Sequence, residues 1–400
     1  MKIVNVEDYF LPDAGYQINI VPKYLSLFGH DVYIVTSTVE GVDRPLARFL
    51  GTENIKERDE KYTRETGVKI IRVKPFSTKV ISGRMIQSRK MMDIVNDLDP
   101  DVVFVHGNDS LTGIRFIIEK GKKYAMIMDS HMLSMASKNK LNNLFYKCYK
   151  KFITPVILKN KYTVIRTQND NFIERKLGIP IKDSPWISYG SDMLLFHPDL
   201  YVRKNFRKEY DINENDFVVV YTGKLDEAKD GKLLAKTFEK KFNVDRNIIL
   251  IVVGNTSGEY GKEVDNIFSH SENRIIRIPT QKYVDLAKYY QVADLSVFAR
   301  QCSLSFYDAQ ACGLPVLSED NNINVDRCSH NNGWNFKSGN MKDFRDKIEK
   351  IVSMDYDKYK EIMDNSYSFV KENYNYETKA REYEEVILKQ QKIYQQSKND

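Results

Sequence analysis

Apolar residues recur along this chain in short unbroken runs rather than in strict alternation. KIVNV, VYIV, KIIRV, VVFV, AMIM and TVIR occupy the first half; FVVVY, IILIVV, RIIRI, LSVF and PVLS follow in the second. Runs of four to six residues rich in Val and Ile predict strands buried on both faces, as in a parallel sheet covered by helices. Between them lie longer stretches with helical spacing and Gly or Pro punctuation, so strand and helix alternate and the fold class is α/β. Two successive sets of such units predict two Rossmann-like parallel-sheet domains.

One stretch organises the second set. Residues 293–320, ADLSVFARQCSLSFYDAQACGLPVLSED, read as buried strand, polar loop, helix, Gly-Pro turn and buried strand, a βαβ unit. The loop after the first strand falls at the carboxyl end of the sheet, where open α/β folds take their ligands. Amides of Ser303, Leu304 and Ser305 at the following helix start are suited to phosphate or sugar oxygens.

The first unit opens with strand, loop, helix, a Gly29 turn and strand, but without GxGxxG, which disfavours a nicotinamide or flavin site. Gly15 either lets the backbone approach a ligand where a Cβ would collide or serves a tight turn. Residues 38–68 are polar and irregular, as expected of a binding loop or mobile cover. His106 and His131 each stand at the carboxyl end of a strand, the ligand side, with His131 the preferred candidate.

The totals narrow the class. A chain of 400 residues, 42% hydrophobic and 29% charged, accommodates two cores. A net charge of +6, with Lys and Arg interspersed among Asp and Glu, gives no case for nucleic acid. Cys148, Cys302, Cys312 and Cys328 lack metal spacing, and reduced thiols are expected. No apolar run is long enough to span a bilayer and no leader pattern precedes Glu7 and Asp8, so a cytoplasmic location is expected. Residues 138–161, KNKLNNLFYKCYKKFITPVILKNK, combine lysines with an apolar stripe and hold no acid. They form either a solvated helix packed on its own domain or a peripheral contact with an anionic membrane, with Pro155 interrupting any single long helix.

The second-domain words resemble those of family 4 glycosyltransferases, retaining enzymes of the two-domain GT-B fold. Asp308 followed by Ala-x-Ala-Cys-Gly-Leu-Pro-Val matches the helix half of that family's donor motif. The loop half departs: where the family has Glu and then Gly-Phe-Gly, this chain has Arg300 and then Gln301, Cys302 and Ser303. Gly223, Lys224 and Lys229 fall where the family has Gly, Arg and Lys that grip a nucleotide-sugar diphosphate. Pro12, Gly15, the run Gly29 to Val32, and Gly190, Asp192, Phe196 and Pro198 at a domain junction also match.

The resemblance implies a GT-B architecture: two domains facing across a cleft, residues 1–198 with a returning helix 376–400 on the acceptor side, and residues 199–375 on the donor side. It implies transfer of a sugar from a nucleotide-diphosphate donor to a glycan or lipid-linked acceptor, in cell-surface polysaccharide or glycoconjugate synthesis. Lys224 and Lys229 would stabilise the departing diphosphate, since cations at developing charge lower the barrier. Amides of Cys302, Ser303 and Leu304 would hold phosphate or sugar oxygens, with Gly223, Gly254 and Pro279 walling the nucleotide slot. Asp308 would receive the ribose, although Ser305-x-x-Asp308 also reads as a near capping box. His131 and Gly15 would line the cleft. No metal or other cofactor is expected. Arg300 cannot accept a hydrogen bond as the family's Glu does, so Gln301 takes over, the donor sugar is anionic, or activity is impaired. Two rivals follow: a non-catalytic nucleotide-sugar-binding relative or scaffold, and a GT-B sugar-nucleotide epimerase.

Overall fold

A computed structural model of the chain describes residues 1–81, 84–131 and 142–399. The chain divides into two compact units, residues 1–189 with 376–400, and residues 190–375.

Unit 1 contains β1 (Lys2–Val6), β2 (Asp31–Ser37), β3 (Lys69–Val73), the hairpin strands β4 (Ser77–Ile81) and β5 (Arg84–Ile86), β6 (Val102–Val105), β7 (Ala125–Ser130) and β8 (Thr163–Arg166). Apart from the hairpin these pair in parallel in the order β3-β2-β1-β6-β7-β8. The order reverses between β1 and β6, and side chains just beyond their carboxyl ends, Glu7 and His106, therefore stand at a topological switch point. The expected returning helix, Tyr376–Asn399, docks within this unit. Its Gln390 Oε1 accepts from both the amide (3.1 Å) and the hydroxyl (2.6 Å) of Thr163, and its Tyr383 hydroxyl accepts from Gln17 Nε2 at 2.5 Å.

The stretch expected to be irregular, residues 38–68, instead holds two helices, Pro45–Leu50 and Ile55–Thr66. The second buries only Tyr62, whose hydroxyl donates to the Asn19 carbonyl at 2.6 Å. Charge holds it as well: Arg72 forks onto Asp59 at 2.6 and 2.8 Å, and Arg58 donates to Asp13 at 2.5 Å. A helix tied down by ion pairs shows no apolar period to read.

Unit 2 contains β9 (Phe217–Thr222), β10 (Ile248–Val253), β11 (Arg274–Ile278), β12 (Leu295–Phe298), β13 (Val316–Glu319) and β14 (Gly333–Phe336), in the order β11-β10-β9-β12-β13-β14. All pair in parallel. Val218 and Val220 of β9 enter one apolar layer while Phe217, Val219 and Tyr221 enter the other, as strand alternation requires of a sheet covered on both faces. Here too the order reverses between two strands, β9 and β12, and the loops after both carry the candidate residues.

The boundary expected at 198 falls at 189 because residues 190–198 pack on unit 2. The Ser191 amide donates to the Tyr374 carbonyl at 2.7 Å, and Phe196, fully buried, meets the rings of Tyr283 and Tyr290 at 5.0 and 5.9 Å.

Candidate functional site

The carboxyl ends of β9 and β10 are bare backbone. A Cβ on Gly254 would lie 2.0 Å from the Gly223 carbonyl oxygen, so this approach needs glycine at 254. Gly254 itself donates to Ile278 at 3.0 Å, which brings the loop that starts at Pro279 alongside. Asn255 and Thr280 then exchange backbone to side-chain hydrogen bonds of 3.2 and 3.1 Å. Gly223, Gly254 and Pro279 are thus assembled at one edge of unit 2.

The two lysines follow Gly223. Lys229 is partly buried, and its ammonium donates to the Cys302 carbonyl at 3.0 Å. Burial lowers its pKa, against the pull of Asp226 and Glu319; the charge of Lys224 adds to the lowering, so the two cations share one neighbourhood. Lys224 is exposed, its carbonyl held by the Tyr221 hydroxyl at 2.5 Å. The structure therefore brings Lys229 and the loop 300–304 together, with Lys224 close enough to Lys229 for their charges to interact.

That loop is gripped from three sides. The Gln301 amide donates to Glu319 Oε1 at 2.6 Å, Arg327 donates to the Ser303 carbonyl at 2.8 Å, and Lys229 holds Cys302. Gln301 adopts φ +61°, a left-handed conformation uncommon outside glycine. Among the described residues, the amides of Cys302, Ser303 and Leu304 have no internal acceptor, whereas that of Ser305 turns back to Ser303 Oγ at 3.3 Å. Arg300 is 53% exposed and reaches Asp230 only at 3.9 Å. Glu319 and Arg327 were not anticipated; both are remote in sequence from the loop they hold, and only the departure of the loop from glycine hinted that something must support it.

Asp308 does not form the capping box its spacing suggested. Its Oδ1 accepts from the Ser191 hydroxyl at 2.7 Å and the Tyr283 hydroxyl at 3.2 Å, and the helix Ser305–Ala311 has no side-chain cap. Burial pushes the carboxyl up to about 7, despite these two donors.

In unit 1, Gly15 (φ +67°) closes a loop that Asn19 pins by donating to the carbonyls of Leu11 and Pro12 at 2.8 and 3.2 Å. His131, 38% exposed, ends a hydrogen-bonded chain that runs inward. Its Nδ1 meets the Tyr189 hydroxyl at 2.9 Å and its Nε2 meets Asp129 at 3.0 Å; Asp129, fully buried, also meets His106 Nδ1 at 2.7 Å and accepts from the Gly107 amide at 2.7 Å. Burial opposes charge on both His131 and Asp129, yet their mutual attraction wins, raising the imidazole well above its ordinary pKa and holding the carboxylate well below. Glu7 lies in the same field, and burial pushes its carboxyl up to about 7. Asp129 and Glu7 are further residues the sequence reading left out.

The side chains of His106, Asp129 and His131 offer metal-ligand atoms within 4.8 Å of one another, but the atoms in question are engaged in the hydrogen-bonded chain. Asp-x-Asp spacings at 97–99, 99–101 and 355–357 lie elsewhere: Asp101 takes the Lys2 amide at the amino end of β6, and Asp355 caps the helix Tyr356–Asn373.

The basic segment is described from residue 142; residues 138–141 lie outside the described part. Pro155 does not end the helix, which runs from Asn142 to Lys159 through a wider π turn at Tyr149–Ile153 just before the proline. Such a turn accommodates a missing backbone donor. Tyr149, Thr154 and Ile157 face inward, whereas Leu144 (61%), Phe152 (59%), Lys147 and Lys151 are exposed. Among the described residues no helix is long and apolar enough to cross a membrane.

Two parallel sheets, each with its ligand-side loops at a switch point, define a GT-B-type architecture, and solved glycosyltransferases share it. A glycosyltransferase from Rickettsia africae superposes with a TM-score of 0.72 at 15% identity, covering 97% of this chain and 98% of that one. Anabaena HepE, solved with UDP-glucose, gives 0.68 at 15% identity over 97% and 100%. Residues 202–369, within unit 2, match the family model for "Glycosyl transferases group 1". A probable sucrose-phosphate synthase from Thermosipho melanesiensis is 24% identical over 222 residues, 53% of this chain; the chain spans 49% of that relative's length.

Proposed function

We propose that this protein is a retaining glycosyltransferase that moves a sugar from a nucleoside-diphosphate donor, held by unit 2, to a glycan or lipid-linked acceptor held by unit 1. The observation that carries the reading is the meeting of Lys229 with the loop 300–304 at the ligand end of the unit that matches the group 1 glycosyltransferase family. Departure of the diphosphate builds negative charge, and an ammonium already partly desolvated stabilises it more than one in open water. Burial disfavours the charge on Lys229, and an arriving diphosphate offsets that penalty. Lys224, exposed beside it, supplies a second cation. HepE, solved with UDP and with UDP-glucose, supports this donor class. Retention at the anomeric centre, independence of metal, and a place in cell-surface polysaccharide or glycoconjugate synthesis follow the family resemblance. Incubation with UDP-, ADP- and GDP-sugars and an oligosaccharide acceptor, read by mass spectrometry and anomeric NMR, tests the reading. Transfer with retained configuration is expected; donor binding without turnover, or an epimerised donor, would favour the two rivals.

A second reading concerns the acceptor's setting. Leu144 and Phe152 stand exposed beside Lys147 and Lys151, a face suited to an anionic bilayer surface, so the enzyme works in the cytoplasm as a peripheral membrane protein. Sedimentation with phosphatidylglycerol vesicles, compared with neutral vesicles and with Phe152→Glu, tests it. Equal partitioning in all three would exclude this face.

A further inference from the structure

We infer that Glu319 is a positioning residue for the donor loop, holding Gln301 in its left-handed conformation so that the amides of residues 302–304 stay free for an anion. The inference rests on the donor-site reading above and adds to it the residue that shapes the loop.

Glu319 ends β13 and is 6% exposed. A buried carboxylate without donors is costly, and this one has three. Oε1 accepts from the Gln301 amide at 2.6 Å and from Asn321 Nδ2 at 3.1 Å, and Oε2 accepts from the Ser338 hydroxyl at 2.7 Å. The Asn321 and Ser338 contacts fix the carboxylate from its own side of the sheet. The remaining contact is the one that crosses to the loop, and it lands on the amide of a residue at φ +61°. Left-handed backbone is disfavoured for a side chain such as glutamine, so an external grip is needed to keep it populated.

The consequences extend through the loop. With the Gln301 amide taken by Glu319, the Cys302 carbonyl by Lys229 and the Ser303 carbonyl by Arg327, the amides of Cys302, Ser303 and Leu304 are, among the described residues, left without an internal acceptor. Arg327 itself lies over Tyr307, its guanidinium carbon 4.7 Å from the ring centroid, a cation–π contact that supports the second grip. A glycine-rich loop adopts such a shape unaided. This loop has no glycine, and Glu319 does that work from the neighbouring strand.

The test uses the full chain, UDP as the probe, and hydrogen exchange across residues 299–305. Glu319→Ala is expected to speed exchange in that segment and to weaken UDP binding about tenfold, the factor that corresponds to the cost of a left-handed residue. Glu319→Gln keeps an acceptor and stays near the parent protein. Gln301→Gly added to Glu319→Ala recovers most of the lost affinity, because glycine takes positive φ without the clamp. A merely structural glutamate would not be rescued in this way. A folded Glu319→Ala with parental loop exchange and UDP affinity, or a double variant no better than the single one, overturns the proposal. Should the parent protein bind no UDP, the donor-site reading fails with it, while the exchange experiment alone decides whether Glu319 holds the loop.

Discussion

The ammonium of Lys229 donates a 3.0 Å hydrogen bond to the carbonyl oxygen of Cys302, tying the loop after β9 to the loop after β12. These two strands flank the point where the strand order of unit 2 reverses, so the contact bridges the switch point. A backbone carbonyl thus satisfies the Lys229 ammonium at the ligand end of the sheet.

Lys229→Ala should therefore lower turnover on the order of 10²-fold, because the lost interaction strengthens as the diphosphate departs. Steady-state kinetics check this: kcat falls more than KM rises. An unchanged kcat with raised KM would make Lys229 a ground-state binder only.

Asp308 makes stability depend on pH. Its folded-state pKa of about 7 lies above the ordinary aspartate value, so between pH 4 and 7 the folded chain binds a proton that the unfolded chain has released. This contribution is complete below the unfolded pKa and is lost as pH rises through the folded one, at most about 1.4 kcal/mol per pH unit. Urea midpoints of Asp308→Asn against the parent protein, taken at pH 5, 6 and 7.5, should shift in favour of the variant as pH rises. A constant difference would show that Asp308 is ionised throughout.

Asp129 raises the pKa of His131. In Asp129→Asn the counter-charge is gone, so the His131 imidazole should titrate at lower pH than in the parent protein. Proton–carbon NMR of the histidine rings follows it directly. An unmoved titration would assign the raised pKa to another group.

The strand core of both units was legible because continuous Val- and Ile-rich runs admit one reading in a chain of this length. The helix after Leu304 was legible because its flanking strands and Gly-Pro turn set its limits. What escaped notice had no local signature. The helix Ile55–Thr66 is held by Arg72–Asp59 and Arg58–Asp13 ion pairs rather than by an apolar stripe. Glu319 and Arg327 act on a loop 18 and 24 residues away in sequence, through contacts that only the sheet order creates. Asp308 shows the converse: its spacing to Ser305 imitates a cap, but the folded chain brings Ser191 to it from 117 residues away.

Isothermal titration of UDP, ADP and GDP into the parent protein and Lys229→Ala tests the account most directly. At least one of the three should bind the parent protein, and its affinity should fall about tenfold or more in the variant, as expected on losing a charged hydrogen bond. Equal affinity for both proteins, or no binding of any nucleoside diphosphate, would contradict it.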